Sequence, residues 1–130
     1  MAPASGRVRV SYAPRADGRA DPGEVVWTWV PFEHDPTQGK DRPVLVVGQR
    51  GSWLAALELT SKAPGMGPNR AYVDVGTGAW DSLGRPSQVR LDRLLDVDPA
   101  RVRREGAAFD PVLFQRVLAA AARFLPELNG

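Results

Sequence analysis

Residues 24–30 read Glu24-Val25-Val26-Trp27-Thr28-Trp29-Val30, and residues 43–47 read Pro43-Val44-Leu45-Val46-Val47. β-Branched and aromatic residues dominate both stretches, as they do in packed, pleated strands. In the first, alternation puts Val25, Trp27 and Trp29 on one face and Val26, Thr28 and Val30 on the other. Both faces are largely apolar. That suits a strand of a closed or tightly curled sheet, with Trp27 and Trp29 in its core. Pro31 ends it. The second stretch is apolar throughout and is expected to be central and buried.

Outward from this pair, the chain alternates short strands and turns. The loop from Phe32 to Asp41 carries turn signals at Asp35-Pro36 and Gln38-Gly39-Lys40. Gln49 to Ser52 turns the chain into a third strand, Trp53–Leu59. Ala63 to Asn69 is a loop, Tyr72–Val75 a short strand, and Gly76 to Pro86 a second long loop. Ser87–Leu91 and Leu94–Val97 form a last strand, broken by a bend near Asp92. Asp98-Pro99 and Asp110-Pro111 are helix starts, an acidic cap before a proline at the first helical position. The second helix is expected to reach about Leu125, with Leu113, Val117, Ala120, Ala121 and Phe124 as its buried stripe. Residues 1–22 read as a mobile N-terminal arm, within which Val8 to Tyr12 can add an edge strand. Residues 23–130 read as one domain. The fold class is mainly β with a C-terminal helix (α+β): about five short strands in a small, curled antiparallel sheet or SH3-like barrel.

Composition narrows the chemistry. The chain has 130 residues, 43% hydrophobic and 25% charged, enough for one globular core. It contains no cysteine, which excludes disulfides, thiolate metal sites, iron–sulfur clusters and cysteine nucleophiles. The single histidine, His34, excludes a two-histidine acid/base pair and a multi-histidine zinc site within one chain. No glycine-rich phosphate loop is present. No apolar run is long enough to span a membrane. The N-terminal residues lack the apolar core of a secretory signal, so the expected compartment is the cytoplasm. Fifteen of the 17 cations are Arg, the exceptions being Lys40 and Lys62. GC-rich coding accounts for that bias, and so does a phosphate-binding surface.

Three segments together resemble the MazF/PemK family of toxin endoribonucleases. They are Gly23-Glu24-Val25-Val26-Trp27, Gly39-Lys40-Asp41-Arg42-Pro43-Val44-Leu45-Val46-Val47, and Leu59-Thr60-Ser61-Lys62; Ser87-Gln88-Val89-Arg90 is similar to a further family strand. The Arg-Pro segment is the most specific. The resemblance implies a curled sheet of the CcdB/PemK type, acting as a homodimer. It implies metal-independent cleavage of single-stranded mRNA with no cofactor, and a cognate antitoxin as partner. Matched by motif, the family's catalytic Arg falls on Arg42 and its catalytic Thr on Thr60.

The residues themselves suit those roles. Cleaving RNA without a metal requires removing the 2′-hydroxyl proton, stabilising a five-coordinate phosphorane and protonating the 5′-oxygen. A guanidinium meets the second demand through its two-pronged fork. Its high pKa makes it a poor base, so Arg42 is expected to stabilise charge and Thr60 to orient the phosphate or the 2′-hydroxyl. Arg42 is expected at the rim of the sheet, just before its buried strand. Gln38, Lys40, Ser61, Lys62 and His34 are candidate substrate contacts. His34 is also a candidate base and, equally, ordinary loop surface. Trp53 and Trp80, near loops, are candidates for stacking bases or for the dimer contact. Arg85, Arg90, Arg93, Arg101, Arg103 and Arg104 form a cationic stretch, either solvated or bound to phosphate. The alternative is a binding module of the same fold, a CcdB-like topoisomerase poison or a degenerate toxin.

Overall fold

The alternating strands pair as one curled antiparallel sheet. The computed structural model describes residues 7–15, 20–61, 71–103 and 107–128. In chain order the strands are β1 (Arg9–Val10), β2 (Glu24–Pro31), β3 (Gly39–Arg50), β4 (Trp53–Thr60), β5 (Tyr72–Gly76), β6 (Ser87–Arg90), β7 (Leu95–Val97) and β8 (Ala107–Ala108). Helix α1 (Pro111–Ala121) follows. The main order across the sheet is β5-β6-β4-β3-β2-β8, with β1 added to β3 and β7 to β4. The apolar run at 43–47 is central as expected, flanked by β2 on one side and β4 on the other. Its strand is longer than the run, and a register irregularity between Val46 and Gly48 bends it.

The last strand is broken as expected, and the break curls the sheet. Leu59 opposes Val89, while Leu54 opposes Val97. Eight residue steps on one side therefore span five on the other, and the excess leaves the ladder between Leu91 and Leu94.

The alternation yields two buried faces. On one, Val25, Leu45, Leu57, Leu59 and Val89 pack with Phe109 and with Phe114, Val117 and Ala121 of α1. Each fully buried side chain of this size contributes about 1.5–3 kcal/mol. On the other, Val26, Val30, Val44, Val46 and Ala56 pack with Leu54, Leu95 and Val97.

Four expectations are corrected. The helix starts where Asp110 caps it, accepting from Leu113 N at 2.8 Å, but ends at Ala121 rather than near Leu125. Three-residue hydrogen bonds, Arg123 N to Ala120 O and Phe124 N to Ala121 O, tighten the chain there. Its buried stripe is Phe114, Val117 and Ala121, continued by Leu125 and Leu128, and Phe124 turns outward, 41% exposed. Secondly, the described part of residues 1–22 is docked. Val8 is buried and packs in the α1 core; Arg9 and Val10 pair with Gln49 and Gly48. A Cβ on Gly48 would come within 2.3 Å of the Arg9 carbonyl, so glycine admits the added strand. Tyr12 lies 5.0 Å from Phe114 and donates to the Phe109 carbonyl, while buried Glu24 accepts from Arg15 N and Asp21 N.

Thirdly, Trp29 is 44% exposed. It stands at the outer end of β2, beside exposed Lys40 and Asp41, with its ring lying over Gly39. Fourthly, Trp80 is buried. Its Nε1 donates to Ser87 Oγ at 3.2 Å, its carbonyl accepts from Trp27 Nε1 at 2.9 Å, and its ring lies 5.7 Å from Phe109. The loop expected at 63–69 lies outside the described residues. Among the described residues no helix is long and apolar enough to cross a membrane.

Candidate functional site

Sheet register assembles the site on the face opposite α1. Val44 opposes Glu58, so the same register carried one step outward sets Arg42 across from Thr60. On the other side of β4, Thr60 opposes Gln88, which brings Glu58 level with Arg90, and Arg90 opposes Tyr72 on β5. One row of side chains on one face therefore runs Arg42, Glu58 and Thr60, Arg90, Tyr72 across four strands. Arg42 stands inside β3, opposite Thr28, rather than ahead of the strand as the sequence suggests. The ladder with β2 begins three residues before Arg42, at Gly39.

Glu58 is the hub. Its Oε2 lies 3.5 Å from Arg42 Nε, and its Oε1 lies 3.8 Å from Arg90 Nη1 and 3.6 Å from Arg93 Nη1. Glu58 itself is 7% exposed. Arg90 donates to both Glu33 oxygens at 3.0 and 3.2 Å and also to Asp92. Arg93 Nη2 donates to the Pro31 carbonyl at 2.9 Å. Burial works against the charged form of Arg90, but its bonds to Asp92 and Glu33 outweigh that, and its pKa stands above the ordinary arginine value. Burial raises the Tyr72 pKa, partly offset by Arg90. Tyr72 therefore stays a neutral donor through the physiological range.

Two cavities meet at Arg42 and Thr60. One, of about 370 Å³, is lined by Glu58, Tyr72, Arg90 and Arg93 and by the loop residues Phe32, Glu33 and His34. Phe32 and His34 stack with centroids 5.5 Å apart and planes 8° from parallel. The other, of about 410 Å³, is lined by Lys40, Asp41 and Ser61 on one side and Asp81, Arg85 and Ser87 on another. The Arg85 guanidinium donates to Asp81 at 2.8 Å, and with Leu83 N–H it holds the Asp81 carboxyl below its usual range.

The expected residues thus divide. His34 joins Arg42 and Thr60 in the first cavity, and Lys40 and Ser61 join them in the second. Gln38 lines neither; its N–H donates to Asp35 O and its carbonyl accepts from Phe32 N, closing the loop. Lys62 and Arg104 lie outside the described residues. Trp53 lines a third cavity with Trp29, away from Thr60. Sequence reasoning missed Glu58, Glu33 and Tyr72, and left Arg90 and Arg93 undecided. One signal was available: Glu58 is the lone carboxylate of an apolar strand, at the parity of buried Leu54 and Ala56, and a buried charge requires partners. Among the described residues no group of three or more His, Asp or Glu side chains is arranged to hold a metal ion.

Comparison with known proteins gives concordant findings. The family model for PemK-like, MazF-like toxins of type II toxin–antitoxin systems matches residues 21–125. Among solved structures, the chain is similar to a MazE–MazF complex from Deinococcus radiodurans, with a TM-score of 0.55 and 28% identity. The alignment covers 88% of this chain and 98% of that one. No curated protein matches.

Proposed function

The chain belongs to the PemK-like, MazF-like toxins of type II toxin–antitoxin systems, and from that premise we propose that it is a metal-independent, sequence-specific endoribonuclease acting on single-stranded mRNA. The observation that carries this reading is the placement of Arg42 across from Thr60, where a cavity on the face opposite α1 meets a second one lined largely by residues of the other parity, Trp27, Pro43, Leu59 and Ser87 among them. An RNA strand that passes from one cavity to the other at this edge carries the phosphate between them past Arg42.

In the proposed reaction the 2′-oxygen attacks phosphorus and its proton passes to water. The P–O5′ bond then breaks and the 5′-oxygen takes up a proton. Arg42 stabilises the charge that gathers on the phosphorane oxygens. The Thr60 hydroxyl orients the phosphate or the nucleophile. Lys40 and Arg85 border the second cavity and supply point charge to the flanking backbone. The chain works as a cytoplasmic homodimer, and a cognate antitoxin neutralises it by covering this face. The solved relative, a MazE–MazF complex, supports an antitoxin partner.

The test is incubation of purified protein with a long single-stranded RNA in excess EDTA. Discrete fragments ending in 2′,3′-cyclic phosphate or 3′-phosphate are expected. Intact RNA, together with a stalled topoisomerase, would overturn the reading in favour of a CcdB-like poison.

A further inference from the structure

We propose that Glu58 is a positioning residue for RNA cleavage, a buried carboxylate that holds the Arg42 guanidinium by its Nε edge and so presents the Nη edge to the scissile phosphate. This deepens the nuclease reading above and rests on it.

Three observations carry it. The first is cost. Glu58 is 7% exposed within an otherwise apolar strand. Burying a carboxylate is unfavourable, and a buried ion pair is seldom more stabilising than a well-packed apolar pair of similar volume. Fold stability alone therefore does not account for a glutamate there. The second is division of labour between its oxygens. Oε1 faces Arg90 and Arg93, which are themselves tied to Glu33, Asp92 and the Pro31 carbonyl. Oε2 faces Arg42. One oxygen is anchored through two strands, β6 and β2, and two loops, and the other is left for Arg42. The third is the edge engaged. Among the described residues the Arg42 side chain makes one ion pair, through Nε. A guanidinium offers two donor edges, and a carboxylate on the Nε edge leaves the Nη1/Nη2 edge for bidentate contact with phosphate oxygens. A long side chain held in this way presents its donors before substrate arrives, which is the condition for electrostatic stabilisation of a transition state. Glu58 exchanges no proton and forms no bond in this role.

The test separates positioning from structure by sign. Glu58→Gln keeps the shape and removes the charge. Single-turnover cleavage is expected to fall about ten- to a hundredfold, the usual range when an outer-shell orienting partner is lost. Binding of an RNA blocked by a 2′-deoxy group at the cleaved position is expected to hold or tighten, because a negative charge has left a phosphate-binding face. A damaged fold would weaken both. In an Arg42→Ala background, Glu58→Gln is expected to cost nothing further, since the residue it positions is gone. Wild type that cleaves while Glu58→Gln cleaves within about twofold of it overturns the positioning role and leaves the nuclease reading intact. So does a rate loss matched by an equal loss of binding. Wild type that leaves RNA whole overturns both. Should Glu58→Gln not fold, Arg93→Gln takes its place, loosening Oε1 without touching Arg42. Its cleavage is expected to drop several-fold in wild type and not in Arg42→Ala, and an unchanged rate overturns the proposal.

Discussion

On the face of the sheet that α1 covers, Val25, Leu45, Leu57, Leu59 and Val89 are each 1% exposed or less. On the opposite face, Val26, Val44, Val46 and Ala56 are buried as completely. There, however, the apolar run of β3 stops at Val44, and the next positions of the same parity on β3, β4 and β6 are Arg42, Glu58, Thr60 and Arg90. The same strands supply both faces, alternate residue by alternate residue. What differs is the cover. A helix lies across one face, so every inward position must be apolar. On the other, among the described residues, the short segment around Leu95 and Val97 lies against the strands, with Ala20 and Val102 beside it. The uncovered remainder can hold charge, provided each charge finds a partner. Among the described residues, the site is thus the part of a core face that neither helix nor strand covers, held rigid by the part that is covered.

That division is broken most strongly from the covered side. Leu57→Ala removes a fully buried side chain from the α1 face and should cost about 2–5 kcal/mol of stability by denaturant unfolding. Cleavage per folded molecule should be unchanged. If Leu57→Ala instead lowers the rate of the folded fraction as much as Arg42→Ala does, the two faces are not independent.

The converse experiment is Arg42→Ala. Loss of one preorganised donor typically costs about a hundred- to a thousandfold in rate, here with unfolding expected to shift little because Arg42 is only half-buried. Arg42→Lys should fail nearly as badly, since it keeps charge but loses the planar fork. Both should bind a non-cleavable RNA within about tenfold of wild type, because one phosphate contact is a modest part of the footprint. A binding loss equal to the rate loss would make Arg42 a docking residue.

Two smaller effects follow on either face. Val8→Ala should lower stability by about 1.5–3 kcal/mol at unchanged specific activity, because Val8 is buried under the helix face. A variant as stable as wild type would mean that the N-terminal segment docks without contributing. Thr60→Ala removes one orienting hydroxyl and should cost about tenfold in single-turnover rate, the scale of one neutral hydrogen bond. No change there would leave Arg42 as the sole member of the pair.

Much of the covered face was legible in the sequence, because alternation alone decides it: Val25 against Val26 and Leu45 against Val44 follow from the pleat. Arg42 and Thr60 were legible through motif. Their partners were not. Glu58 meets Arg90 only because β6 pairs with the C-terminal half of β4 and the chain loops out between Leu91 and Leu94 before β7 pairs with the other half. No local signal states that register. Trp80 misled for a related reason. Its neighbours in sequence are loop residues, while its burial comes from Phe109 and Ser87, which fold back from elsewhere. Val8 and Val10 alternate visibly, but their partner strand end at Gly48 is disclosed only by the bend in β3.

The smallest expected effect belongs to His34. Histidine is the side chain whose ordinary titration falls near neutrality, and His34 lines the cavity beside Arg42, so a role as base is the natural competing assignment. The geometry favours a different use. His34 stacks on Phe32 in a loop and is exposed, so the stacked pair offers an aromatic shelf in the lining of the cavity. A nucleobase stacks on such a shelf without proton transfer. His34→Ala should therefore weaken binding of a non-cleavable RNA by about tenfold, as loss of a single stacking platform does, while the rate at saturating RNA stays within about threefold. Phe32→Ala should do the same, since it removes the ring beneath. The pH dependence of the saturated rate between about pH 5.5 and 8, the window where a histidine base titrates, should be the same in both variants as in wild type. A slope present in wild type and absent in His34→Ala, but retained in Phe32→Ala, would make His34 the base and shift the chemistry from the sheet face to the loop.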